Sequence, residues 1–202
     1  MKDKTLIVMG NGPSLKDVDF DMLSGYDTFG LNAAYRAYPR LNWWPTYHGC
    51  FDYRVTDNHK ENFIDLINSK KFKKHFYIRN LSNEENGNSG ANACSVGVCL
   101  GYKKIILLGV DCNYVEFVEG SKKDGPGGLV MEKTPGTNPN YWFDDYQQKG
   151  DEYNIPDGLS FHMPTWNTFA YRAAHANIEV VNCSPITTLR SFKRMSLREA
   201  LL

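Results

Sequence analysis

The residues best placed by type and spacing to do chemistry are Gly10-Asn11-Gly12-Pro13-Ser14, directly after the apolar run Thr5-Leu6-Ile7-Val8-Met9. Glycines on both sides of an asparagine let the chain turn tightly and approach a ligand closely, because no Cβ intervenes. Backbone N–H groups freed by such a turn, with the Asn11 amide and the Ser14 hydroxyl, suit phosphate or ribose oxygens. A strand-to-helix turn without a ligand would use the same residues. Neither the third glycine of a dinucleotide fingerprint nor the Gly-Lys-Ser/Thr of a P-loop is present, so the loop marks a candidate nucleotide site and leaves the ligand open.

Other reactive side chains lie further on. His162 sits between an irregular stretch and a helical one, where a histidine can face a cleft and take a proton from a hydroxyl; a surface or capping role fits the same position. Asp111 ends an apolar run and can bind ribose, orient a neighbour or cap a loop. Tyr141, Trp142, Phe143 and Tyr146 can stack on a sugar face or pack among themselves. Asp144-Asp145 lacks the Asp-x-Asp spacing of metal-dependent sugar transferases, and no metal site is expected. With no nucleophile elbow, acyl transfer is not expected either. His48, His59, His75 and His175 read as structural or solvated.

These residues need elements to position them. Apolar runs at 5–9, 27–31, 45–51, 75–78, 105–111 and 178–182 read as strands. Helical stretches are expected at 19–23, 33–37 (ending before Pro39), 57–69, 93–100 and 164–176. A terminal helix begins at Ser196, with Glu199 at the capping-box position. Strands apolar throughout and alternating with helices predict a mainly parallel, Rossmann-like sheet covered on both faces. In such sheets ligands bind at the carboxyl ends of the strands, near a switch in strand order. Asn11, Asn32, Asp52, Ser89 and Asp111 all fall at expected strand ends or in the loops just after them. From 112 to 161 the pattern dissolves into glycine, lysine, threonine and aromatic residues, which predicts a lid or binding insertion within a single domain covering 1–202.

Composition narrows the classes. The chain has 202 residues, 42% of them hydrophobic, and a mean hydropathy of -0.48. Lysine plus arginine equals aspartate plus glutamate at 23 each, so no overall field draws it to nucleic acid. Lys70-Lys71-Phe72-Lys73-Lys74 reads as solvated helix-end charge, with peripheral membrane contact kept open. No transmembrane segment or signal peptide is expected. Five cysteines without C-x-x-C spacing read as reduced thiols of a cytoplasmic protein.

Gly10-Asn11-Gly12-Pro13-Ser14-Leu15-Lys16, Asn32, Ser89-Gly90, Gly101-Tyr102-Lys103-Lys104-Ile105 and Gly109-Val110-Asp111 together resemble the family 42 sialyltransferases. The wider superfamily, which includes the 6-hydroxymethylpterin diphosphokinase-like (MptE-like) domains, shares the opening loop and the strand ending Gly-x-Asp. The resemblance covers residues 1–111 and resumes at Asn182-Cys183-Ser184-Pro185. It implies that Asn11, Gly12 and Ser14 contact the phosphate and ribose of a cytidine nucleotide, Asn32 the donor near its phosphate, and Ser89 with Gly90 the base or ribose side. Tyr114 would neutralise the departing phosphate and His162 would be the base. At Asp52 the transferases carry asparagine and the diphosphokinase-like proteins aspartate.

The expected function is therefore transfer of a sugar from a CMP-linked donor to a glycan hydroxyl in surface polysaccharide synthesis, with no cofactor required. A diphosphokinase-like alternative transfers pyrophosphate from ATP with Mg²⁺ on Asp52 and Asp111. A third reading is a nucleotide-binding protein without catalysis. An oligomer is compatible with any of them.

Overall fold

The computed structural model describes residues 4–77, 88–115, 117–125, 127–154 and 162–202. The run TLIVM forms β1 (Thr5–Met9), buried at all five positions. Because side chains alternate across a strand, Leu6 and Val8 join one core cluster while Ile7 and Met9 join another. Both faces of the strand are therefore covered, as a continuous apolar run demands. β2 (Asp27–Leu31), β3 (Tyr47–Cys50), β4 (Lys74–Tyr77), β5 (Lys104–Leu108), β9 (Glu179–Asn182) and β10 (Lys193–Arg194) complete a seven-stranded sheet in the order β10-β9-β5-β1-β2-β3-β4. Every pairing in it is parallel. The chain leaves β1 toward β2 on one side and returns with β5 on the other. The switch in strand order thus lies between β1 and β5, and the Gly10–Ser14 and Gly109–Asp111 loops open from it.

Helices α4 (Ser89–Cys99) and α5 (Met163–His175) pack Ala91, Ala93, Cys94, Trp166 and Phe169 against one face. Small residues let α4 lie close: a Cβ on Gly97 would collide with the Leu6 side chain. On the other face lie 3-10 turns at Pro13–Asp17 and Phe20–Leu23 and the short α6 (Leu197–Ala200). Ser196 and Glu199 form the expected capping box there.

Several expectations are corrected. The single helix at 57–69 is two, α2 (Tyr53–Asn58) and α3 (Lys60–Asn68), broken at His59, whose ring is buried against Asp151. Pro39 lies inside α1 (Tyr38–Leu41), in its first turn, where a missing N–H costs nothing. The segment 33–37 is a 3-10 turn, Asn32–Arg36. α4 starts four residues before the expected Ala93, because Asn88 caps it by accepting from Ala91 N at 2.8 Å. The 112–161 stretch is not featureless: β6 (Ser121–Lys123), β7 (Gly128–Met131) and β8 (Glu152–Asn154) form an antiparallel sheet. Residues 155–161 of that stretch, with Asn86-Gly87 before α4, lie outside the described residues. Among the described residues no helix is long and apolar enough to cross a membrane. All five cysteines are free; Cys50, Cys94 and Cys183 are buried and Cys99 is exposed.

Candidate functional site

At the switch point the β1–β5 ladder runs on into the loops, with Gly10 N donating to Leu108 O at 2.7 Å and Gly12 N to Gly109 O at 2.8 Å. A Cβ on Gly10 would overlap the Gly109 carbonyl, and one on Gly12 would overlap the Asp111 carboxylate. The two glycines are therefore required by this close approach of two loops, before any ligand is considered. Ser14 belongs to the same junction. Its N–H donates to Asp111 Oδ2 at 2.8 Å and its hydroxyl to Asp111 Oδ1. Burial pushes the Asp111 pKa up, and the Ser14 bonds pull against that shift.

These loops form the floor of a cavity of about 450 Å³ at the carboxyl edge of the sheet. Asn11, Gly12, Asn32, Asp52, Ser89, Gly90, Asp111, Tyr114 and His162 all line it; Ser14 sits behind Asp111. Asn32 is in the left-handed region, φ 53°, which asparagine tolerates better than most side chains. Its carbonyl lies 3.1 Å from His48 Nε2, and its Oδ1 accepts from Ser89 Oγ at 3.2 Å and from Phe51 N at 3.4 Å. Asn32 is thus held through its two oxygens. The first turn of α4, whose N–H groups have no partner within the helix, brings Ser89 and Gly90 to the cleft. A Cβ on Gly90 would run into the Trp166 ring.

Asp52 serves two elements at once. Its Oδ1 accepts from Arg54 N at 3.0 Å and Val55 N at 3.4 Å, capping α2, and from Asn154 Nδ2 at 2.7 Å; its Oδ2 accepts from Asn154 N at 3.0 Å. Burial raises its pKa, and these bonds oppose the shift.

The far wall comes from the insertion. Asn140 brackets Val115, accepting from its N–H and donating to its carbonyl. This clamp sets Tyr114 beside Tyr141, with their hydroxyls 2.8 Å apart. One phenol must donate to the other, which leaves the second proton free to donate elsewhere. Burial pushes the Tyr114 pKa up to about 12, so the hydroxyl stays protonated. Tyr141 stacks on Tyr146 at 3.8 Å between centroids and 11° between planes. The Tyr146 hydroxyl accepts from Asn11 Nδ2 at 3.1 Å and Ala33 N at 3.3 Å. Asn11 Nδ2 also lies 3.2 Å from Leu31 O, while its Oδ1 is buried with no hydrogen-bond partner among the described residues.

His162 precedes α5, and its carbonyl accepts from Trp166 N and Asn88 Nδ2. Burial pulls its pKa down to about 4, so the imidazole is neutral near pH 7 and able to accept a proton. Asn140 and Asn154, which the sequence did not single out, also line the cavity, as does Tyr141. Tyr141 belongs to a conspicuous aromatic group, but nothing local in the sequence pairs it with Tyr114.

Asp144 and Asp145 stand apart from the cavity lining. Asp144 accepts from Asn138 N at 3.1 Å, and Asp145 pairs with Arg40 at 2.8 Å. Among the described residues no group of three or more His, Cys, Asp or Glu is arranged to hold a metal ion.

No family model matches the chain, and no curated protein sequence matches it. Solved structures do. The monofunctional alpha-2,3-sialyltransferase Cst-I from Campylobacter jejuni superposes with a TM-score of 0.59 at 16% identity, over 92% of this chain and 77% of that one. A point variant of the alpha-2,3/8-sialyltransferase CstII gives 0.55 at 16% identity, over 96% and 87%. CstII from Campylobacter jejuni in complex with the substrate analogue CMP-3FNeuAc gives 0.50 at 17% identity, over 96% and 86%. At these identities the likeness is one of fold: a mainly parallel α/β sheet.

Proposed function

We propose that the chain is a glycosyltransferase of sialyltransferase type, moving a sugar from a CMP-linked donor to a glycan hydroxyl in surface polysaccharide synthesis. The observation that carries this reading is the cleft's lining. Among the described residues it offers asparagine amides, tyrosine hydroxyls, a helix N-terminus and His162, but no lysine or arginine. The phosphodiester of a CMP-linked sugar bears a single negative charge, which preorganised dipoles can hold. A nucleoside triphosphate bears several and calls for lysine, arginine or Mg²⁺. The diphosphokinase reading would need Asp52 and Asp111 as metal ligands. Asp52 already takes four donors and Asp111 two, both from Ser14.

In the proposed reaction the acceptor oxygen attacks the anomeric carbon while the bond from that carbon to the donor phosphate breaks. The bonding pair leaves on the CMP phosphate, where the Tyr114–Tyr141 pair donates its remaining proton as a hydrogen bond. The hydroxyl proton passes to the His162 imidazole. No covalent nucleophile is needed; positioning and charge stabilisation supply the rate.

A thermal-shift panel of CMP, UMP, GDP and ATP, each with and without Mg²⁺, tests the reading. CMP should raise the Tm by the same amount with or without the metal. Stabilisation by ATP that requires Mg²⁺ would overturn the transferase reading in favour of the diphosphokinase. Binding of CMP without release of CMP from any CMP-linked sugar would leave a binding protein.

A further inference from the structure

The stretch from 112 onward reads in sequence as a lid, yet its described part is bound to the core by buried, charged contacts. Arg36 ends the same 3-10 turn that begins with Asn32. Its guanidinium donates through Nη1 to the Tyr146 carbonyl at 2.7 Å and forks onto Asp151, with Nη2–Oδ1 at 2.9 Å. The two side chains are 13% and 6% exposed. Asp151 also accepts from Tyr153 OH at 2.9 Å and Gln148 N at 2.7 Å, and lies 3.0 Å from His59 Nε2. Both oxygens of this carboxylate are engaged: Oδ2 accepts from Arg36, Tyr153 and Gln148, and Oδ1 accepts from Arg36 beside the His59 ring. Opening the segment would break the Arg36 fork and the Tyr146 carbonyl bond together, so a motion that opens and closes it at every turnover is disfavoured.

The contact acts on the cleft through Tyr146. That residue carries the Arg36 bond on its carbonyl, the Asn11 bond on its hydroxyl and the Tyr141 ring on its face. Tyr141 in turn holds the Tyr114 hydroxyl.

We propose that Arg36 is a positioning residue for this tyrosine wall. Through the Tyr146 carbonyl and the Asp151 carboxylate it holds Tyr146, Tyr141 and Tyr114 at the cleft, so that residues 140–154 form a fixed wall and do not close as a lid. Its effect on turnover rests on the transferase reading above; its effect on the wall does not.

Arg36→Lys tests both parts. Lysine keeps the charge but loses the fork that reaches carboxylate and carbonyl together. Hydrogen–deuterium exchange on the full chain should find amides of 141–154 protected in the free wild type, with little change on adding CMP. In Arg36→Lys those amides should exchange at least about tenfold faster, with β1 and β5 unchanged. CMP affinity should stay within about threefold of wild type while release of CMP from CMP-linked sialic acid slows about 10- to 100-fold, because the wall acts on the leaving group more than on binding.

Protection of 141–154 that is absent in the free wild type and appears only with CMP would overturn the fixed wall. Unchanged exchange in the variant would remove Arg36 from it. Should wild type bind no CMP, the transferase reading fails, and the exchange of the two free proteins still decides the wall. If Arg36→Lys does not fold, Asp151→Asn, which keeps the volume and drops the charge, takes its place with the same readouts.

Discussion

His162 and Asp111 face one cleft, and burial shifts both toward their neutral forms. For His162 this suits a base, since a neutral imidazole has a lone pair to offer. Its low pKa also sets a requirement: in the proposed reaction the anionic donor must raise that pKa for proton transfer to be efficient, because a base works best with a pKa near the working pH. His162→Ala should therefore lower turnover of a CMP-linked donor about 100- to 10,000-fold while leaving the CMP-induced Tm shift in place. Unchanged turnover would remove His162 from the mechanism. Ser14 shows how a residue can mark a site without facing it. Its hydroxyl and N–H are spent on Asp111, so it braces the floor of the cleft.

At the scale of elements, β1 and β5 are drawn so close at their carboxyl ends that their loops leave no room for a methyl group. Gly109 is itself in the left-handed region at φ 62°, so this backbone has little freedom to step aside. Gly10→Ala should lower the unfolding free energy in urea by about 1–3 kcal/mol, the usual cost of overpacking; a midpoint within error of wild type would mean that the loops part easily. The glycine pattern and the apolar strands are legible in the sequence, because both are local signals. The same holds for the convergence of Asn11, Asn32, Asp52, Ser89 and Asp111 at strand ends, since parallel topology alone brings those ends together. The small sheet of the insertion was not legible. Its strands have three or four residues each, and Ser121-Lys122-Lys123 is polar throughout. Nor was the break at His59, which a partner 92 residues away imposes.

For the whole molecule, buried histidines set the response to acid. Burial pulls His162 and His75 down to about 4 and His48 well below its ordinary value, with His75 adding to the shift of His48. Between about pH 6.5 and 4 the unfolded chain binds protons that the folded one refuses, so stability falls as pH is lowered through that window. Each fully shifted histidine contributes a slope of about 1.4 kcal/mol per pH unit. Asp52 and Asp111, raised by burial, act in the opposite sense and offset part of the loss. The bonds Arg36 and His59 make to Asp151 outweigh the effect of burial and hold that carboxyl below its usual range, so its contribution is lost only at still lower pH. The Tm should drop steadily from pH 7 to 4.5; a flat or rising profile would count against neutral buried histidines.

The insertion touches the core through Asn11–Tyr146, Arg36–Asp151 and Asp52–Asn154, contacts that span 135, 115 and 102 residues of chain. Three tethers between the same two surfaces share one loop closure. Once any of them forms, the others meet at high effective concentration, as in multivalent binding. The wall of the cleft therefore behaves as a chelate: loss of one tether, as in Arg36→Lys, loosens the segment while the other two keep it attached, and only concerted loss releases it.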